Sequence, residues 1–227
     1  MDHELLERVR DLRAKGSSPK EIARATGAKL AVVASLVRTI AAEGELEPRV
    51  DCWVSPGWST GLIVPAELGW PDNAVAAGTE GLSNVLVARK ERGSRVTMCS
   101  YLVDTYCLGV KNVIGPDVLN SRAATEFAAS LFSAYGARPL SVPLAMAQHL
   151  VLGAVEFARG LGFEPHRDFT AAKSHLGDWA GPSPITFGRE GKPFFIAGPH
   201  DNPTRIVKTL ERSVGRDNFD YVIGVPA

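Results

Sequence analysis

Hydrophobic positions change their spacing along the chain, and the changes mark out its parts. Over His3–Lys15, Leu5, Leu6, Val9 and Leu12 form one stripe among Glu and Arg, which predicts an amphipathic helix ended by Gly16. Ser17-Ser18-Pro19-Lys20-Glu21 restarts a helix. Ser18 suits the N-cap, Pro19 the first helical position, and Glu21 closes a capping box. That short helix stops at Gly27. A third helix runs from about Lys29 to Ala42, with Val33, Leu36, Val37 and Ile40 inward and Gly44 at its end.

Periodicity then disappears from Glu45 to Ser83, where Pro48, Pro56, Pro65 and Pro71 break any helix. Trp53, Trp58 and Trp70 are too many for a disordered tether, so this stretch predicts a connector that wraps the body. No Lys or Arg lies between these tryptophans, which favours packing over a base-stacking platform.

The longest β-favouring run is Arg95–Asn112. Neither alternating face of Val96–Val103 is polar, as expected of a central strand covered on both sides. Asn84–Lys90 is a second strand, and Gly93 in the link predicts an antiparallel hairpin. Gly109 ends the strand or starts a turn. Ser121–Tyr135 and Pro143–Leu161 read as helices, and a shorter one begins near Asp168 and ends before Gly177. Ile185–Gly188 and Pro193–Ala197 read as a hairpin around Gly191. A helix Pro203–Val214 and a strand Phe219–Gly224 follow.

The predicted fold is α+β: an N-terminal three-helix helix-turn-helix domain, then a mostly antiparallel sheet packed with helices. Its parts are a head over 1–44, a Trp/Pro/Gly-rich connector over 45–83 and a body over 84–227.

The segment SPKEIARATGAKLAVVASLVRTIAAEG resembles the helix-turn-helix heads of bacterial transcription regulators and site-specific recombinases. The shared features are Ala23 close between helices, Gly27 in the turn, and apolar Val33 and Leu36. The resemblance implies that the third helix enters the major groove of DNA, with Lys20, Lys29, Ser35 and Arg38 as contacts. Ala31, Val32 and Ala34 depart from a reading helix, because they offer no hydrogen-bonding group to base edges. YLVDTYCLGVKN, LGFEPHRDF and FGREGKPFFIAGPHDNP resemble an uncharacterised bacterial protein family, which carries over no activity.

Charge and composition narrow the picture. With 25 Lys/Arg and 25 Asp/Glu, the 227-residue chain has no net charge, so it is not a polyanion binder as a whole. Residues 1–44 carry eight Lys/Arg and six Asp/Glu, a small positive excess that makes a homodimer the expected DNA-binding form. Cys52, Cys99 and Cys107 form no CxxC pair, so neither a disulfide framework nor a zinc finger is expected. No nucleotide-binding GxGxxG, Walker loop, HExxH or GxSxG appears, and no cofactor or metal is expected. No apolar run reaches membrane-spanning length and the first residues lack a signal peptide's apolar segment, so the expectation is a soluble cytoplasmic protein.

Three functions are weighed. The first is a DNA-binding regulator whose body dimerises or senses a small-molecule ligand. The second is an enzyme, hydrolase- or nuclease-like, in which Asp104, Cys107, His149, Glu156 and His200 converge. It draws on two features. A helical turn after Val103 would place Asp104, Cys107 and Lys111 on one side. His149 and Glu156 share a face of a largely apolar helix, with Gly153 leaving space between them for a neighbour or a ligand. The bland counterparts are a capped turn, a packed thiol and solvated polar groups. The third function is a protein-interaction scaffold.

Overall fold

The computed structural model describes residues 3–46, 49–72, 80–91 and 95–224. The chain divides into two compact units, residues 1–49 and 50–227.

The first unit holds α1 (His3–Ala14), α2 (Pro19–Thr26) and α3 (Leu30–Leu46). Val9, Ile22, Val33 and Leu36 are its buried centre, with Leu5, Leu12, Ala23 and Val37 packed around them. The capping box forms: Glu21 N–H donates to Ser18 Oγ at 3.4 Å, and Ser18 N–H donates to Glu21 Oε2 at 2.7 Å. Gly27 takes the left-handed φ of 70° that ends α2. The third helix does not stop at Gly44 but runs on to Leu46. One interior glycine costs a helix only about 1 kcal/mol, too little to end it alone.

The second unit is built on an antiparallel sheet. Its strands are β1 (Val50–Val54), β2 (Leu82–Lys90), β3 (Arg95–Asp104), β4 (Gly109–Asn120) and β5 (Leu140–Val142), in the order β4-β3-β2-β1-β5. The central hairpin β2–β3 pairs from Leu82 with Asp104 to Lys90 with Val96. Its linking Gly93 lies outside the described residues. The pleat sends Cys99, Tyr101 and Val103 to one core and Val96 and Met98 to another, so β3 is covered on both faces. α5 (Leu144–Gly160) and α6 (Phe169–Leu176) close the first face, and α4 (Ser121–Phe132) lies on the second.

Three expectations need correction. The connector over 45–83 contains a strand, β1, whose Cys52 sits between Val87 of β2 and Val142 of β5. Five residues between prolines are too short to display a period, and cross-strand pairing makes the strand. After Val103 the chain does not turn helical. It makes a tight turn and leaves as β4, with Gly109 at a φ of 68°.

The third correction concerns the C-terminal hairpin. Ile185–Gly188 does not ladder with Pro193–Ala197; only isolated bridges form, Ile63 with Thr186 and Arg189 with Lys192. Instead β6 (Phe194–Ile196) and β7 (Asp220–Val222) pair in parallel, joined through α7 (Pro203–Ser213). Pro193 has no N–H to give a hairpin ladder, but its carbonyl accepts from Asp220 N–H at 3.0 Å. Among the described residues no helix is long and apolar enough to cross a membrane.

Candidate functional site

In the head, the period that buries Val33 and Leu36 sends Ala31, Ser35 and Arg38 outward at i, i+4 and i+7, and all three are exposed. Lys20 stands in the first turn of α2 and Lys29 just before α3. Both are exposed, and neither has an acidic partner among the described residues. Arg38 Nε donates to the Ala34 carbonyl at 3.2 Å, which leaves its terminal guanidinium nitrogens for a partner. The first turn of α3 also exposes apolar surface, with Leu30 at 46% and Val32 at 44%. The head can therefore offer a few hydrogen-bond donors, free cations and an apolar tip. The cations of α1 are more engaged locally: Arg10 pairs with Glu7 at 2.8 Å, and Arg13 donates to the Ser17 carbonyl.

In the body, Asp104 closes the β3–β4 turn. Its Oδ1 accepts the N–H groups of Tyr106 at 3.0 Å and Cys107 at 2.9 Å. Burial pushes its carboxyl up to about 6, with Lys111 and these N–H groups working against the rise. Cys107 is fully buried among Leu161, Phe195, Ile206 and Leu210. Burial, with Asp104 beside it, drives its thiol well above the usual range, so it packs as an apolar group and is no nucleophile at neutral pH.

Lys111 does not donate to Asp104. Its Nζ pairs with Asp201 Oδ2 at 2.6 Å, and Asp201 also accepts Gly198 N–H at 2.8 Å. This pair ties β4 to the loop before α7, while Asn202 rather than Asp201 caps that helix. Nothing in the residues linked Lys111 to Asp201, which lies 90 positions along the chain.

Among the described residues the other candidates make no hydrogen bond to Asp104 or Cys107. His149 belongs to an aromatic cluster: its Nδ1 accepts Trp179 Nε1–H at 3.0 Å, and its ring centroid is 5.9 Å from that of Trp70. Acceptance at Nδ1 places the proton of the neutral ring on Nε2, and burial lowers the pKa. Glu156 is exposed on α5. His200 is exposed on the β6–α7 loop, and its neighbour Asp201 makes the contact to Lys111.

The space beside Gly153 is taken by the chain itself. A Cβ there would lie 2.5 Å from Ser183 Cβ and 2.7 Å from Phe187. Of the proposed catalytic set, Asp104 and Cys107 share a turn through the hydrogen bond from the Cys107 backbone N–H to the Asp104 carboxylate, and among the described residues no hydrogen bond ties His149, Glu156 or His200 to them. Trp58 and Trp70 pack as expected, with Trp58 Nε1 donating to the Pro71 carbonyl at 2.8 Å. A cleft of about 860 Å³ opens elsewhere, between α4 and the sheet, and none of the five lines it. No pattern in the residues announced it.

No protein-family model, curated protein or solved structure matches the chain.

Proposed function

We propose that the protein is a DNA-binding regulator, with the head as its DNA-contacting unit and the body as a dimerisation or ligand-sensing unit. The observation that carries this reading is the outward face of α3, where Ser35 and Arg38 stand exposed, together with Lys20 and Lys29, which have no acidic partner among the described residues. Exposed lysines suit phosphate contacts, and Arg38 suits a base edge. Leu30 and Val32 suit thymine methyl groups, which compensates in part for the alanines of that helix. Few contacts per head make one copy weak, so two heads on one duplex are the working form.

The enzyme reading loses support because Cys107 is a buried thiol and, among the described residues, no three His, Cys, Asp or Glu side chains group closely enough to hold a metal. The test is fluorescence anisotropy of the full chain on labelled mixed-sequence duplexes across a salt series. Affinity falls as salt rises. With two heads on the duplex, Lys20→Ala and Lys29→Ala each reduce the salt slope by about two, and Arg38→Ala weakens binding at least about tenfold. An absence of binding to any duplex at low salt ends this reading and leaves a protein-interaction scaffold.

A further inference from the structure

The α4 face of the sheet is hollow. Asp51, Ala88 and Met98 lie side by side across β1, β2 and β3, with Trp53 one pleat along on β1. Above them α4 presents Ala124, Thr125, Ala128 and Ala129. These side chains are too short to reach the strands all along the helix, and the gap is the cleft of about 860 Å³. That volume falls within the ~300–1,000 Å³ typical of small-molecule sites. The far wall is held in place: Tyr135 Oη accepts from Asn84 Nδ2 at 3.1 Å, and the Tyr135 ring lies 6.3 Å from buried Phe132.

Charge at the mouth selects the occupant. Lys90 and Asp51 stand 3.7 Å apart and offset each other. Arg138 is exposed and has no acidic partner among the described residues, so the rim keeps one uncompensated cation over an apolar interior. We infer that the cleft binds a small amphipathic monoanion, its apolar or aromatic body between α4 and the sheet and its carboxylate or sulfonate at Arg138. A cationic ligand has no free carboxylate to meet there, since Asp51 is already engaged.

The site stands apart from the head's proposed role, and its test contains no DNA. Full-length protein is titrated with 1-anilinonaphthalene-8-sulfonate and followed by fluorescence. Decanoate, decanol and decylamine then compete below their micellar range. The expected result is saturable one-to-one dye binding that decanoate displaces best. Arg138→Ala weakens decanoate by about tenfold, because it removes a charge-assisted contact. Ala129→Trp and Thr125→Phe, both at exposed positions, fill the cleft and abolish binding while thermal melting stays unchanged. Retained dye binding in either folded variant overturns the site. Displacement by decylamine equal to that by decanoate overturns the assignment of an anion.

Discussion

The two faces of the five-stranded sheet use alternate residues of the same strands and finish differently. On the α5 side, Tyr101 and Val103 of β3 meet Leu150, Val151 and Ala154, all of them buried. Trp58, Ile185 and Phe187 pack into the same core, so two helices and two loops seal that face. On the α4 side a single alanine-rich helix covers Val96, Met98 and Leu86 and leaves the cleft. A face is sealed when large side chains arrive from several elements; here Phe132 of α4 packs down at one end, while Ala124, Thr125, Ala128 and Ala129 line the cleft along the rest of the helix. The sealed face has the character of a stability core, and the open one has room for a ligand.

That contrast can be broken most directly with Leu150→Ala, which empties a fully buried position on the sealed face. The expected loss is about 2–5 kcal/mol, read as a shift in urea midpoint at constant slope. A loss under about 1 kcal/mol would mean that this face is no tighter than the other. Gly153→Ala comes next. Its new methyl meets Ser183 Cβ and Phe187, and overpacking outweighs the gain in helix propensity to leave a net cost of about 1 kcal/mol. Net stabilisation would show that the 183–187 segment yields freely.

Acid sharpens the contrast further. His175 is buried on the sealed face, with Nε2–H donating to the Val87 carbonyl at 3.1 Å and burial lowering its pKa below the usual 6.5. The unfolded chain therefore binds the extra proton first as pH falls. The stability tied to the neutral ring is full above about pH 6.5 and is lost on acidification below it. Relative to His175→Gln, the wild type should lose urea stability from about pH 7 to about pH 5. Asp104 and His149 are common to both chains and cancel. Parallel curves would mean that His175 titrates as it does in water. The smallest effect belongs to Ala129→Trp on the open face, expected within about 0.5 kcal/mol of wild type. A large loss there would show that the space beneath α4 is already needed for packing.

Much of the local structure was legible in the residues. Ser18, Pro19, Glu21 and Gly27 placed α2 because a capping box and a left-handed turn are settled within one helix. Ser121 or Asn120 was readable as the cap of α4, and Asn120 supplies it, while α5 was readable from its apolar run between Pro143 and Gly160. The two apolar faces of Val96–Val103 announced a doubly covered strand. The candidate chemistry was less legible. Residue types proposed Cys107 as a reactive group, but a thiol's reactivity follows its surroundings, and those are apolar. His149 and Glu156 share a helix face by spacing, yet neighbours from distant segments decide that one stacks on tryptophans and the other meets solvent.

By itself, then, the sequence determined the three patterned helices of the head, with α2 capped, the central β2–β3 hairpin and the long buried α5. Periodicity, caps and turns act over a few residues, and each is complete within its own segment. Only the tertiary structure decided that Val50–Val54 is a strand, that β6 takes β7 as a parallel partner, and that Lys111 reaches Asp201 across 90 positions of chain. It alone decided which face of the sheet is filled and which is hollow. Cross-strand register, charge pairing and packing volume belong to pairs of segments, and the order of residues along one segment does not encode which other segment it will meet.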